Sequence, residues 1–336
     1  MANVISTSLT WSQEDAQKYF LAPLFYENEH LKGMDVMTDV SGASILLDRY
    51  TSVKDITKTM TTATSFTADG TQSANTNITL TLCRLEVEHA QQANVLFSHI
   101  KSQLLKKGIN RADMTGTIFQ EIVSEVVMQG IKRDFSTILW WGDSVNGDGT
   151  QGLCNGVWKA LDLQVGVGNF SLANNRVVGT NALTNLEAML ALRSNELAAM
   201  DNQLIYCSRA FADDYAFRLR AAGTHVAAYA DLQDGISNLR FQGVRLVVIP
   251  SWDVDIATHH AALALMANAF APDAAADTMC AIWTSENNIT VGTDFQAQDV
   301  DMWYNKDEKE NRFRMLYSMG VAVKEPEMCV ASVETA

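Results

Sequence analysis

Cysteines, basic residues and long apolar runs are all scarce in this chain, and each shortage excludes a class of protein. The five cysteines lie far apart and never form a C-x-x-C pair, which argues against a disulfide framework or a zinc knuckle and predicts buried free thiols. No run approaches the roughly 18 uninterrupted apolar residues of a membrane span. The start, MANVISTSLTWSQEDAQ, lacks the basic and apolar regions of a signal peptide, so we expect a soluble intracellular protein.

Basic residues are too few and too scattered for a nucleic-acid-binding protein. Lys and Arg number 25 against 39 Asp and Glu, which gives a formal net charge of −14. Binding to phosphate backbones draws on clustered cations that release counterions. The short basic cluster of Lys101, Lys106 and Lys107 closes a helical pattern, and cations are favoured at that end of a helix. The composition therefore argues against affinity for nucleic acid.

The usual motifs of enzymes are missing as well. The sequence contains neither a G-x-S-x-G nucleophile elbow nor a G-x-x-x-x-G-K phosphate-binding loop. We therefore predict no catalytic residue, no cofactor and no metal site. One enzyme hypothesis stays open, a soluble α/β enzyme that pairs a histidine with carboxylates. Its candidate residues are His225, His259, His260, Asp253 and Asp255.

What the chain does contain is a run of threonines between residues 51 and 83 that is strand-forming but carries too little apolar surface for a core of its own. β-Branched residues suit a pleated, half-exposed surface better than a helix. Asp69 and Gly70 lie between two such runs, where a tight turn is easily made. The pattern predicts a long two-stranded hairpin that turns near this dipeptide and lies on a neighbouring copy of the chain. The alternative is a disordered Thr/Ser loop.

The rest of the chain divides by its hydrophobic periodicity. Residues 1–50 carry aromatic side chains but few strong periods, which indicates an extended N-terminal arm. Helical spacing follows over 89–107 and again over 117–139, the longest predicted helix. Its apolar stripe comprises Ile118, Ile122, Val126, Phe135 and Ile138.

Residues from about 180 to 290 alternate helices with short strands. A capping box from Thr184 to Glu187 predicts a helix start, residues 204–207 and 244–249 are strand-like, and residues 211–222 are helical. This alternation indicates an α/β domain inserted before the final segment, in which residues 302–330 alternate like a strand pair.

This order of elements resembles the major capsid protein of tailed bacteriophages, with its Hong Kong 97-like fold. The residues that carry the resemblance are ILWWGD at 138–143 with GLCNG at 152–156, and WTSENNITVGTD at 283–294 with NRFR at 311–314 and GVAVKEPE at 320–327. The resemblance implies an α+β fold in four parts. These are an N-terminal arm at 1–45, an extended β-hairpin loop at 46–88, a peripheral domain with a long spine helix at 89–179 and 291–336, and an inserted α/β axial domain at 180–290.

The resemblance also implies a function without chemistry. Copies of the chain would form hexamers and pentamers of an icosahedral phage head around double-stranded DNA, in a virion capsid assembled in the host cytoplasm. The implied partners are a portal protein and a separate scaffolding protein, since no charged helical N-terminal region serves as a built-in scaffold; a decoration protein stays open, and no membrane is involved. An encapsulin-like compartment shell is the alternative within the same fold.

The resemblance further implies where the subunits would touch. Some family members cross-link a hairpin lysine to an asparagine of a neighbour, and Lys54 and Lys58 are the only lysines of this hairpin; we interpret both as ordinary surface lysines. The full set of expected contact residues is Trp11, Phe20 and Phe25 in the arm with Lys54, Lys58, Phe66, Asp69 and Gly70 in the hairpin.

Overall fold

The computed structural model describes eleven stretches of the chain, which are residues 9–10, 31–38, 40, 44–50, 75–92, 118–163, 176–178, 181–221, 239–263, 278–294 and 300–333. The strands are β1 (Leu9–Thr10), β2 (Asp35–Met37), β3 (Ser44–Tyr50), β4 (Asn75–Thr81), β5 (Cys83–Gln92), β6 (Arg176–Val178), β7 (Gln203–Ser208), β8 (Arg240–Phe241), β9 (Val244–Ile249), β10 (Ala281–Ser285), β11 (Ile289–Gly292), β12 (Val300–Asn305), β13 (Glu310–Val323) and β14 (Val330–Val333). The helices are α1 (Ile118–Trp141), α2 (Val157–Leu163), α3 (Ala182–Leu192), α4 (Asn195–Ala198), α5 (Arg209–Ala221) and α6 (Ser251–Leu263), with short 3-10 helices at Gly149–Leu153 and Pro326–Met328.

These strands form two larger sheets and one strand pair. The first sheet has the order β1-β12-β13-β11-β2, with β5 also beside β13. Strand β13 organises it, because its first part pairs with both β12 and β5 while its last residues pair with β11. The second sheet has the order β6-β14-β10-β7-β9-β8 and is mixed, with β7 and β9 parallel. Strands β3 and β4 pair antiparallel with each other from Ser44 opposite Thr81 to Tyr50 opposite Asn75.

Local sequence explains several of these elements. The run VRLVVI of β9 is rich in β-branched residues and ends at Pro250, which cannot donate to a sheet ladder. The turn from β8 into β9 uses Gln242 and Gly243, both with positive φ, as the two-residue turns of hairpins require. Helix α3 begins where the Asn181 side chain accepts hydrogen bonds from the backbone N–H groups of Leu183 and Thr184.

Two hydrophobic cores lie on opposite faces of the second sheet. Successive side chains of a strand point to opposite faces, so Leu204 and Tyr206 of β7 enter the core shared with α1, α2 and the first sheet. Ile205 and Cys207 enter the core shared with α3 and α5. Strand β7 is thus buried on both faces, which explains why its sequence is a continuous apolar run and not an alternating one.

Many of the predicted elements are confirmed. The long helix predicted at 117–139 is α1, and the helix predicted at 211–222 is α5. The strands predicted at 204–207 and 244–249 are β7 and β9, and the predicted strand pair of the final segment contains β12 and β13. Strands β3 and β4 form the base of the predicted hairpin, while residues 51–74 lie outside the described residues.

Three local predictions are wrong. Val126 of the predicted stripe is 62% exposed, and the neighbouring Val127 and Ile131 are buried instead. The predicted helix at 89–107 does not begin at His89, because that residue belongs to β5 and pairs with Phe313. The cap of α3 is Asn181, and the capping box predicted at Thr184 lies inside the helix.

The cysteine prediction is wrong for two of the five residues. Cys83 and Cys154 form a disulfide bond, with their Cα atoms 5.9 Å apart. The partners are 71 positions apart in the sequence, so no local spacing announces the pair. The prediction of buried free thiols is confirmed for Cys207, Cys280 and Cys329.

The domain boundaries stay a prediction, but the second sheet includes strands from more than one of the predicted domains. The second sheet takes β14, and also β6, from outside the predicted insertion at 180–290. Strand β14 pairs with β10 through Ala331 opposite Ile282. The final segment therefore contributes to both sheets.

Candidate functional site

The C-terminal half of α1 is the point at which the elements of the fold converge. Phe135, Ile138, Leu139, Trp140 and Trp141 are all fully buried, so this end of the helix is covered on every side. A helix that is apolar all round is one that lies inside a core. The described residues near its N-terminal end differ, because Val126 faces solvent.

Four tryptophans tie α1 to α2 and α6. The Trp141 and Trp158 rings stack with their centroids 5.2 Å apart. Trp252 meets Trp140, Trp141 and Trp158 edge-on, at centroid distances of 4.8, 5.5 and 5.8 Å. Edge-on and stacked arrangements are the favourable ones for aromatic pairs. Helix α6 contacts β7 of the second sheet and α2 contacts β13 of the first, so this tryptophan cluster joins the two larger sheets.

Beyond Trp141, the chain makes a tight turn held by a buried ion pair. Lys159 Nζ lies 3.0 Å from Asp143 Oδ2, and both side chains are nearly inaccessible. The same carboxylate accepts hydrogen bonds from the backbone N–H groups of Val145 and Asn146 and from the Asn146 side chain. Burial alone would raise the pKa of Asp143, but these hydrogen bonds and Lys159 together hold the pKa below its usual value.

Close backbone contacts complete this turn. A Cβ atom at Gly156 would lie 2.5 Å from the carbonyl oxygen of Ile138, so a side chain there would push the turn off the helix. Gln151 Nε2 donates to the carbonyl oxygen of Trp141, which satisfies one of the free acceptors at the helix end. The segments ILWWGD and GLCNG of the sequence are thus brought together in space.

The base of the strand pair rests on the first sheet. Leu80 is fully buried with Val40 and Ala322, and Ile45 and Leu47 pack against this small cluster. Leu46 points the other way and is mostly exposed, as the alternation along a strand requires. The strand pair therefore has one face on its own subunit and an opposite face with an apolar side chain in solvent.

A polar contact joins α1 to α6 beside the tryptophan cluster. The Thr137 hydroxyl donates to Asp255 Oδ1 at 2.8 Å, and the hydroxyls of Ser136 and Ser251 share a hydrogen bond of 2.9 Å. Asp255 Oδ2 has no hydrogen-bond partner among the described residues. Burial raises the pKa of Asp255 to about 6, against the opposing effects of Thr137 and Arg133.

Asp255→Asn is expected to stabilise the protein at neutral pH by about 1–3 kcal/mol, because it removes a buried charge and keeps an acceptor for Thr137. The native carboxyl binds its proton at higher pH than the unfolded one, so wild-type stability should fall as the pH rises from about 4 to about 6. Urea unfolding at several pH values measures both effects.

The control for this substitution is Asp201→Asn, since Asp201 is exposed and its charge is solvated in both states. That variant should keep the wild-type decline in stability between pH 4 and pH 6. Asp255→Asn should show a smaller decline, because burial also raises the pKa of Asp134 and Asp253. An Asp255→Asn protein with the wild-type pH profile would contradict the assignment.

The carboxylates of the enzyme hypothesis have structural roles. Asp253 accepts hydrogen bonds from the backbone N–H groups of Arg209 and Ala210, at the start of α5, and Asp255 accepts the Thr137 bond. His259 and His260 lie in α6, and His225 lies outside the described residues. Within the described part of the chain, no three His, Cys, Asp or Glu side chains come together as a metal site. None of the helices in that part has the length and apolar composition needed to cross a membrane.

The predicted contact residues all fall outside the described stretches. This holds for the arm residues Trp11, Phe20 and Phe25 and for the hairpin residues Lys54, Lys58, Phe66, Asp69 and Gly70. Sequence reasoning missed the Asp143–Lys159 pair, the Cys83–Cys154 bond and the Thr137–Asp255 contact. Each of them joins residues on different elements. The sequence carried a signal for the ion pair, because Lys159 is a charged residue between the apolar residues Trp158 and Leu161.

Comparisons with known proteins show which solved structures share this architecture. No protein-family model matches the chain, and no curated protein matches its sequence. Solved structures do match. A chain of the procapsid of satellite phage P4, in a structure that includes the size determination protein, aligns with a TM-score of 0.60 at 10% identity over 95% of this chain and 91% of that one.

Two further structures agree. A chain from Mycobacterium phage Che8 aligns with a TM-score of 0.52 at 13% identity, over 99% of this chain and 94% of the other. The capsid of a native GTA particle aligns with a TM-score of 0.55 at 13% identity, over 92% and 91% of the two chains.

The fold is therefore that of phage capsid proteins, and the resemblance that the sequence suggested is confirmed at the level of the fold. In this chain the fold takes a particular form, in which the tryptophan cluster at the end of α1 joins two six-stranded sheets and the β3–β4 strand pair rests on the first of them.

Proposed function

We propose that the chain is a major capsid protein that assembles into hexamers and pentamers of an icosahedral shell around double-stranded DNA. The observation that carries the proposal is the likeness to the P4 procapsid chain, which extends over 95% of this chain and 91% of that one. A fold alone does not fix a function. The described surface supplies a second argument, because several large apolar side chains face solvent.

Three of these apolar side chains lie between the end of α1 and the end of α2, in a segment that contributes residues to one groove. Val145 is 78% exposed, and Leu153 and Leu163 are more than half exposed. Ser144, Asn155 and Leu163 line the groove, which lies between α2 and the base of the strand pair. An exposed apolar patch of this kind is typical of a protein–protein interface. We assign it to contact between subunits.

The strand pair and the arm extend the same proposal. We propose that residues beyond the β3–β4 base, including Lys54, Lys58, Phe66, Asp69 and Gly70, lie on a neighbouring subunit. Trp11, Phe20 and Phe25 of the N-terminal arm would be buried under another. The exposed Leu46 on the outer face of the strand pair supports an intermolecular role for this region.

Further assignments follow from the proposed function. Helix α1 is the spine of a peripheral domain that contains the first sheet, and the second sheet with α3, α5 and α6 forms most of an axial domain. The partners are a portal protein and a scaffolding protein, and the shell is a virion capsid assembled in the host cytoplasm. A net charge of −14 suits a lining that does not trap packaged DNA.

Deletion of residues 1–26 should leave a folded subunit but abolish closed shells. Of the described residues, the deletion removes the two-residue strand β1 at the edge of the first sheet, and both described cores lie downstream of it. Trp11, Phe20 and Phe25 would no longer bury apolar surface on a neighbour. Sedimentation and electron microscopy of full-length and truncated protein, each co-expressed with the scaffolding protein, measure the result.

The possible outcomes distinguish an error in the proposed role of the arm from an error in the proposed shell. Closed particles of normal size from the truncated chain would contradict the role of the arm. Only monomers or dimers from both chains would contradict the shell, and would return weight to the α/β enzyme.

A further inference from the structure

The Cys83–Cys154 bond joins two elements that meet at the base of the strand pair. Cys83 begins β5 and is separated from the end of β4 by Leu82, and Cys154 lies in the turn between α1 and α2. The bond therefore fixes the start of β5 to the turn held by the Asp143–Lys159 pair.

Access to the two cysteines is unequal. A groove of about 240 Å³ is lined by both of them, together with Thr81, Asn155 and Leu163. Cys83 is only partly buried, whereas Cys154 is 2% exposed. A small thiol compound in solution therefore reaches Cys83 before Cys154.

The other three cysteines provide a contrast within the same chain. Cys207, Cys280 and Cys329 are buried and unpaired. Burial raises the pKa of the Cys207 and Cys329 thiols, which keeps them protonated and weakly nucleophilic. Neither they nor Cys280 line the groove.

We propose that Cys83 and Cys154 form a reversible oxidation site, in which Cys83 is the entry thiol for a small disulfide such as oxidised glutathione and Cys154 is the resolving thiol. This inference goes beyond the proposed function and concerns the free subunit, because the proposed contact between subunits would cover the same groove. A reducing environment keeps both residues as thiols, and an oxidising one closes the bond after the subunit has folded.

The chemistry takes two exchanges. The Cys83 thiolate attacks one sulfur of the small disulfide, whose S–S bond breaks; one half stays on Cys83, and the other leaves as a thiolate that takes up a proton. The Cys154 thiolate then attacks the Cys83 sulfur, forms the internal bond and releases the second half as a thiol. The two cysteines lose two protons and two electrons, and the small disulfide gains both.

Closing the bond should stabilise the subunit. It links residues 71 positions apart, and a cross-link over a long loop restricts the unfolded chain. We expect the melting temperature of the oxidised protein to fall by about 5–10 °C on reduction. The Cys83→Ser variant should show no such response to the reductant.

The order of the two exchanges can be tested on the full-length protein. Reduced wild type, Cys154→Ser and Cys83→Ser are each incubated with oxidised glutathione and analysed by intact and peptide mass spectrometry. The mass of wild type should fall by that of two hydrogens, with no glutathione attached. Cys154→Ser should gain one glutathione on Cys83, because no resolving thiol remains, and Cys83→Ser should stay unmodified over the same time.

Other outcomes would overturn the proposal. One is addition of glutathione to Cys154 in Cys83→Ser at the rate at which it adds to Cys83 in Cys154→Ser. The others are a stable glutathione adduct on wild type and a wild-type melting temperature that does not change with reductant. If either variant fails to fold, a wild-type time course quenched with a thiol-blocking reagent decides the matter. The transient adduct must then be on Cys83; an adduct on Cys154, or closure with no adduct on Cys83, counts against the order.

Discussion

Replacing Lys159 with methionine is expected to lower the free energy of unfolding by about 3–5 kcal/mol, because the change leaves a buried carboxylate without its cation. Asp143 is fully buried, and Lys159 Nζ lies 3.0 Å from it. The hydrogen bonds from Val145 and Asn146 remain, but they come from neutral groups. Chemical denaturation at neutral pH, followed by circular dichroism, measures the loss.

Two controls isolate the cause of this loss. Lys324→Met removes a cation from the partly exposed pair with Asp35, and should cost no more than about 1 kcal/mol. The double variant Lys159→Met with Asp143→Asn should recover much of the stability, since no charge is then left uncompensated. A loss in Lys159→Met as small as that in Lys324→Met would show that the pair does not support the turn.

Replacing Trp252 with alanine should have an effect of similar size, about 3–5 kcal/mol, because it empties the centre of the tryptophan cluster. Trp252 lies within 5.8 Å of the rings of Trp140, Trp141 and Trp158. The cavity would open between α6 and the end of α1, where the two sheets are joined. Urea unfolding gives the change in stability.

The matched control lies on the same helix. Val254 is half exposed, and Val254→Ala should change stability by no more than about 0.5 kcal/mol. If Trp252→Ala is no more destabilised than Val254→Ala, the cluster is not the joint between the sheets.

The sequence predicted elements best where local composition and packing agree. Helix α1 is long and predominantly apolar, and β9 is a β-branched run with turn residues on both sides. The buried face of α1 was harder to predict, because its last turns, residues 135–141, are buried on all sides and carry no single stripe. The prediction that a helix begins at His89 was wrong, although burial alternates along the first part of β5. Leu85 is buried there between exposed Arg84 and Glu86.

The candidate site was less predictable for a different reason. Asp143 and Lys159 are on either side of a turn, Thr137 and Asp255 are on separate helices, and Cys83 and Cys154 are on a strand and a turn. Such pairs are set by how the elements pack, and a single sequence has no periodicity that reports it. The order of elements was more informative, because it resembled the capsid fold that the structural comparison then confirmed.

The pairing of β5 with β13 also has a mechanical consequence. Ten consecutive residues of β5, from Cys83 to Gln92, lie opposite β13, and the strand pair joins β5 at Cys83. The hydrogen bonds of an antiparallel ladder are perpendicular to the strands. A pull on the strand pair along the axis of β5 therefore loads these bonds together, in shear, and does not unzip them one at a time. In the proposed shell, tension transmitted through the strand pair would be shared by all the hydrogen bonds between β5 and β13.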